Sequence, residues 1–382
     1  MSNRYLDAAA TAPLRSEARA AMNAVYDAPA ANASSVHAAG HAAGQTLERA
    51  RGVIAAHTGV RPSDVIFTSG GTEANNLAII GLALAYPRGR HIVTTGIEHP
   101  SVIETCRYLE RVFGYELTTV PVDGRGRVSA ADARAAVRPD TTLVTIGLAN
   151  AEVGTVQPLA EIARAVGSVG ALVHTDAVQA AAALPVHLGE GGWPGESVDA
   201  VSIASHKFGG PQGVGALILR GGLKLKPLLH GGGQEQGRRS GTSNVAGVAG
   251  FAAAVTATAA GLGTQTLALM ASRDELVRRV LAEVPGARLT GHETERLPGH
   301  ASFVFAGVSG ESLLIALDVA GFAVSSGSAC AAGQNEPSPA LLAMGFAPDV
   351  AETALRFTLA EPISTAQLDR IVTTLQREVA RG

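Results

Sequence analysis

A lysine at the end of an apolar strand pattern is the first chemical candidate in this chain. The alternating run Val198-Asp199-Ala200-Val201-Ser202-Ile203-Ala204 leads into Ser205-His206-Lys207 and then the turn Phe208-Gly209-Gly210-Pro211. An ammonium carried into such a setting loses hydration, its pKa falls, and the neutral amine becomes able to form a Schiff base. An ordinary surface lysine after a strand fits this motif as well, so neighbouring motifs must decide. Leu172-Val173-His174-Thr175-Asp176 ends a second apolar strand in a carboxylate, where open parallel sheets bind ligands. Taken alone, Asp176 also reads as a helix N-cap. An amine and a carboxylate facing one crevice are what pyridoxal 5'-phosphate (PLP) requires. The amine bonds its aldehyde, and the carboxylate keeps its pyridine nitrogen protonated.

Two further segments fit the same chemistry. Thr68-Ser69-Gly70-Gly71-Thr72-Glu73-Ala74-Asn75-Asn76 follows the strand-like Val65-Ile66-Phe67 and opens a helical pattern. Glycines there let backbone N–H groups approach an anion at a helix N-terminus, with the Thr72 hydroxyl adding a bond to a phosphate. A glycine turn that merely starts a helix is the plainer reading of that segment alone. Val324-Ser325-Ser326-Gly327-Ser328-Ala329-Cys330-Ala331-Ala332-Gly333 is a run of small residues around one thiol. A structural core cysteine would have Leu, Ile or Phe around it, whereas a thiol on an arm without anchoring side chains suits a nucleophile that collects a group and delivers it elsewhere.

Together these residues resemble a cysteine desulfurase, a PLP enzyme of the class-V aminotransferase group, in the branch with an SSGSAC loop. The resemblance runs through nearly the whole chain. Its landmarks are Tyr5-Leu6-Asp7 with Ala9-Ala10-Thr11, Asn32 to His37, Gly70 to Asn76, Glu98-His99, Asn150 to Gly154, Asp176 with Gln179, His206-Lys207, Arg239 to Thr242, the Cys330 loop and Arg356-Phe357. It implies PLP fold type I: a mostly parallel seven-stranded sheet flanked by helices, with a smaller α+β domain. It also implies Lys207 as the lysine bonded to PLP, Asp176 at the pyridine nitrogen and His99 stacked on the ring. Asn150 and Gln179 would flank the phenolic oxygen. Gly71, Thr72, Ser205 and His206 would hold the phosphate, with Thr242 reaching in from the second subunit of a homodimer. Arg356, with Asn150, would take the substrate carboxylate, a task suited to a planar guanidinium fork. Cys330 would attack the sulfur of L-cysteine, leaving L-alanine and a Cys330 persulfide for a sulfur-acceptor protein such as an iron–sulfur scaffold or a thiolation enzyme. His99 would act on a thiol proton. No resident metal is expected. The chain departs from the pattern at Ala8, Ala12, Ala33, Ala204 and Ala360, none of which carries the chemistry. A selenocysteine lyase or an ordinary aminotransferase would keep Lys207 and Asp176 without needing Cys330, and a non-catalytic scaffold for sulfur transfer would need neither.

Positioning such residues takes a sheet and its crossovers. Strand-like runs at His91 to Thr95, Tyr115 to Val122, Thr141 to Leu148 and Ala171 to Thr175 alternate with helical stretches at Ser101 to Arg111, Ala130 to Val137 and Pro158 to Val166. That alternation predicts a mostly parallel sheet covered by helices. Beyond about Asn244 come long helical patterns, including Leu267 to Val284, strands near His300 to Phe305 and Leu355 to Leu359, and a last helix from Thr365 to Val379. The expected division is a large domain at 14–250 and a small one built from 1–13 plus 251–382.

At 382 residues there is ample core for two domains. A net charge of −3 and only 4% aromatic residues provide no basic stacking surface for nucleic acid. The apolar run from Ala246 to Ala260 reads as broken by Gly and Thr and too short to span a bilayer. Met1-Ser2-Asn3-Arg4 shows no leader pattern, so a cytoplasmic location is expected. Two cysteines, Cys106 and Cys330, are too few for a disulfide framework or a self-contained metal site. Cys106, within a helical pattern, reads as a core thiol.

Overall fold

The computed structural model describes residues 4–326 and 337–381. Its large sheet has seven strands in the spatial order Val65–Thr68, Gly215–Leu219, Ala200–Ala204, Leu172–Asp176, Thr141–Thr145, His91–Thr95 and Glu116–Val120. All run parallel except Gly215–Leu219, which is antiparallel to both of its neighbours. The alternation of side chains along each strand explains why both faces are covered. Phe67, Val93, Val144, Val201 and Ile218 point into one core with Ile54 and Phe251. Their sequence neighbours Ile66, Ile92, Leu143, Ala200 and Leu217 point into the other, against Leu77, Ile80 and Leu109. The edge strand Glu116–Val120 is mostly solvated, as an edge with polar residues must be.

The small domain is an antiparallel sheet in the order Ala287–Leu289, His300–Phe305, Leu355–Thr358, Ser325–Ser326. It packs on helices Gly310–Val319 and Thr365–Val379 through Phe303, Phe305, Phe357, Leu317 and Leu375. The last helix opens with a reciprocal cap between Ser364 and Gln367, which accounts for its sharp start. The N-terminal pair Arg4–Tyr5 adds to Phe322–Ala323, and Leu6 enters the small core. Ala12 then crosses over, its N–H donating to the carbonyl of His206.

Helix Val245–Glu283 is a single element of 39 residues. It supplies Val248, Phe251 and Val255 to the large core and Leu276 and Val280 to the small one, so both domains share it. The sequence expectation of a run too short to cross a bilayer is corrected here: this helix is long enough, and an 18-residue stretch of it, with a mean hydropathy of 1.7, is apolar enough. Its apolar side chains are instead spent on protein packing, against helices Ser16–Tyr26 and Ala38–Thr58 among others.

Candidate active site

The carboxyl ends of the parallel strands open on one cleft of about 870 Å³, the position where open α/β sheets bind ligands. Gly71, Thr72, His99, Asn150, Asp176, Gln179, His206, Lys207 and Arg356 all line it. These nine positions span almost three hundred residues of sequence, and each sits just beyond a strand end or on the facing strand of the small domain.

Strand Leu172–Asp176 presents its last carboxylate to the cleft. Asp176 Oδ1 accepts the N–H of Val178 at 2.9 Å and Oδ2 accepts from Asn75 Nδ2 at 2.7 Å. Helix Gly71–Ala85 starts beside it, and a Cβ on Gly71 would lie 2.6 Å from a Val178 methyl, so only glycine lets that helix end come so near. Gly70, at φ 155°, sets up the turn. The helix N-terminal N–H groups and the Thr72 hydroxyl, at the cleft wall, form a site suited to a phosphate.

Lys207 follows strand Ala200–Ala204 in a short 3₁₀ turn. Its Nζ donates to the carbonyls of Ala9 and, at 2.9 Å, Ala10, which come from the N-terminal segment. Gln179 Nε2 donates to the same Ala9 carbonyl at 3.0 Å. Burial and the adjacent Lys207 charge push His206 down to about 4, so its ring is neutral near pH 7.

His99 caps helix Pro100–Phe113, its Nδ1 accepting the Ser101 N–H at 3.1 Å and lying 2.7 Å from Ser101 Oγ. Glu98 turns inward, Oε1 accepting from the Thr95 hydroxyl at 2.7 Å and Oε2 from the Gly147 N–H at 2.8 Å. Burial pushes its carboxyl up to about 7 despite those two bonds. Asn150 staples the next strand end: Nδ2 donates to Ile97 O at 2.7 Å while Oδ1 accepts the N–H groups of Glu152 and Val153 at 2.8 and 2.9 Å. Only its second amide hydrogen remains for a cleft ligand.

Arg356, 2% exposed, reaches the cleft from strand Leu355–Thr358. Its Nη2 pairs with Asp7 Oδ1 at 2.8 Å and its Nη1 donates to Ala151 O at 3.0 Å. The neighbouring strand residue is Ser325. Ser338 caps helix Pro339–Ala343 and donates to the Glu152 carboxylate, while Pro339 and Ala340 line the cleft.

Cys330 lies outside the described residues. Ser205, expected at the phosphate, has its hydroxyl fully buried with no partner among the described residues, and it is not among the residues that line the cleft. A Cβ on Gly210 would sit 2.2 Å from its Oγ, so the hydroxyl faces the turn behind the lysine. Thr242 is exposed and is not among the cleft residues of its own chain. Its loop is held by a bidentate Arg239–Glu73 pair (2.8 and 3.1 Å) and a buried Arg51–Glu235 pair (2.7 and 2.9 Å). Cys106 is buried, and burial with the nearby Glu98 charge pushes its thiol up to about 12, which leaves it inert. Glu98, Asn75, Ser101 and Asp7 were not assigned roles from sequence. The adjacency of Glu98 to His99 was a visible signal, whereas Asn75 and Ser101 meet only through folding.

Residues 4–371 match the family described as aminotransferase class-V. The chain is 41% identical over 378 residues, covering 99% of itself and 94% of its relative, to cysteine desulfurase IscS of Dictyoglomus turgidum. It is 43% identical, covering 99% and 96%, to an IscS-like cysteine desulfurase of Mycobacterium tuberculosis. A solved NifS-like protein, 34% identical, superposes over the full length of both chains with a TM-score of 0.91. With this fold, this cleft and these matches, the chain belongs to the class-V aminotransferase family. Within it, the chain groups with the cysteine desulfurases.

Proposed function

We propose that the chain converts L-cysteine to L-alanine with pyridoxal 5'-phosphate held at Lys207, and that the sulfur departs on Cys330. The observation that carries this is the meeting of Lys207, Asp176, His99 and Arg356 on one cleft beside a helix N-terminus. The cleft fits the cofactor: Gly71 and Thr72 offer an anion site at one end, and Asp176 offers a carboxylate for a protonated ring nitrogen. When bound, PLP supplies an electron-poor ring that draws charge away from the substrate's α-carbon.

The chain's own groups do the rest. Lys207 moves a proton at the α-carbon, and Asp176 holds one at the pyridine nitrogen. Arg356, kept in register by Asp7 and Ala151 O, binds the substrate carboxylate through its remaining N–H groups. The thiolate of Cys330 attacks the substrate sulfur: the carbon–sulfur bond breaks, a sulfur–sulfur bond forms, and the carbon gains a proton to give alanine. With Cys106 held as a thiol, Cys330 is the one thiol suited to this step, and a reducing cytoplasm keeps it free. The persulfide then passes its sulfur to an acceptor protein. Thr242, exposed on a braced loop, supports a homodimer in which it meets the other subunit's phosphate site; an active species eluting as a monomer in gel filtration would remove that arrangement.

The test is mass spectrometry of the Cys330 peptide after brief exposure to L-cysteine, beside Cys330→Ala assayed with dithiothreitol. A one-sulfur increment, and loss of alanine production in the variant, are expected. Wild-type turnover by Cys330→Ala would overturn the persulfide route.

A further inference from the structure

We infer that Ser101 and Asn75 form a positioning pair that locks His99 as its Nε2–H tautomer and ties it to Asp176. The orientation of the Asn75 amide follows from chemistry. An ionised carboxylate only accepts hydrogen bonds, so the group 2.7 Å from Asp176 Oδ2 must be the NH₂ of Asn75 and not its oxygen. The other hydrogen of that NH₂ goes to Ser101 Oγ at 2.9 Å. Ser101 Oγ therefore accepts from Asn75, and its own hydrogen points to His99 Nδ1 at 2.7 Å. The backbone N–H of Ser101 donates to the same nitrogen at 3.1 Å. Nδ1 is thus an acceptor twice over and carries no proton, and the neutral ring keeps its hydrogen on Nε2.

The cost of this arrangement shows that it is specific. Asn75 is 1% exposed, and its Oδ1 has no partner among the described residues. An amide introduced only for packing would be cheaper as leucine, because an unsatisfied buried carbonyl keeps its full desolvation penalty. Asn75 instead gives both of its hydrogens to polar groups of the cleft wall, Asp176 and, through Ser101, His99. The ring and the carboxylate, from different strand ends, are held by one amide. A consequence follows for the reaction. With its hydrogen on Nε2 and Nδ1 occupied, neutral His99 is a hydrogen-bond donor toward the cleft and cannot take up the proton of an incoming thiol. This donor role stands against the sequence expectation that His99 acts on a thiol proton, and the tautomer decides between them. The inference rests on the reading that His99 faces the cofactor, but its main readout is independent of turnover.

The experiment is ¹⁵N NMR of histidine-labelled protein, with and without PLP, for wild type, Ser101→Ala, Ser101→Thr and Asn75→Ala. The wild type should show His99 with a bare Nδ1 and a protonated Nε2 in both forms. Ser101→Ala and Asn75→Ala should raise the share of the other tautomer and lower alanine production roughly five- to tenfold, the equivalent of one lost hydrogen bond. Ser101→Thr, which keeps the hydroxyl, should restore both. Thermal unfolding of Ser101→Ala should shift modestly below wild type, because a buried Asn75 N–H loses its acceptor while His99 Nδ1 still caps the helix, and Ser101→Thr should recover the shift. An Nδ1–H signal in the wild type, or an unchanged His99 spectrum in Ser101→Ala, overturns the inference. Loss of activity in Cys330→Ala bears only on the persulfide reading.

Discussion

The strand-end floor of the cleft and the seam between the domains line the same space, yet they are held by different means. On the floor, Glu98 and Asn150 bond to the backbone of a neighbouring strand end, and Asp176 and His99 each accept a backbone N–H two residues further on. These bonds are many, short in reach and mostly uncharged on one side, so they pre-position the chemistry before any ligand arrives. The seam depends on a few contacts between segments far apart in sequence: Arg356 with the Ala151 carbonyl, Ser338 with Glu152, and Lys207 with the Ala9 and Ala10 carbonyls. On its small-domain side Arg356 is held by a nearly buried ion pair with Asp7, which is costly to break because the surviving partner is left uncompensated. The floor suits a permanent cofactor. The seam, which offers guanidinium N–H groups to a carboxylate, suits a substrate that comes and goes.

The sharpest way to break this contrast is Arg356→Gln. It should lower unfolding stability in urea by about 3 kcal/mol, since Asp7 loses its partner. The cysteine concentration for half-maximal rate should rise at least about tenfold. Unchanged stability would show that the seam is held elsewhere. A smaller effect is expected from Glu98→Gln, which keeps acceptor and donor atoms for Gly147 and Thr95. The Glu98 carboxyl lies at about 7 against an ordinary 4.5, so the folded chain binds a proton across that window that the unfolded chain has lost. Stability of the wild type therefore falls as pH rises through the window, and Glu98→Gln should lack this slope, gaining about 3 kcal/mol over wild type at pH 8. Buried His174 and His300, both near 3, and His206 near 4 act in the opposite sense below pH 6.5, where only the unfolded chain takes up their protons. That slope is common to both proteins and cancels in the difference. Equal urea midpoints for the two proteins at pH 5 and pH 8 would show that Glu98 ionises normally. Smallest is Ser338→Ala, expected to cost about 1 kcal/mol through loss of a helix cap. A cost several times larger would mean that the Glu152 contact carries much of the seam.

Much of the large sheet was legible because its strands and helices change hydrophobic period cleanly. His91–Thr95, His300–Phe305 and helix Thr365–Val379 fall where the pattern places them. Helices Ser16–Tyr26 and Ala38–Thr58 were harder to read, since alanine-rich segments carry little contrast between faces. The continuity of Val245–Glu283 was hidden by glycines and threonines that tertiary packing tolerates. Among the site residues, those ending a strand were visible in local pattern. For Ser205, pattern gives the position of the side chain after the strand but not the direction of its hydroxyl in the turn that follows.

The order of residue types along this chain was enough to specify a parallel α/β sheet, a lysine and a carboxylate at strand ends, and a thiol among small residues, because those features are local and periodic. Folding alone decided that Asn75 links Asp176 to Ser101, that Asp7 holds Arg356, and that Glu98 keeps its proton near neutrality. Hydrogen-bond direction and desolvation depend on atoms that approach through space, and no spacing along the chain encodes them.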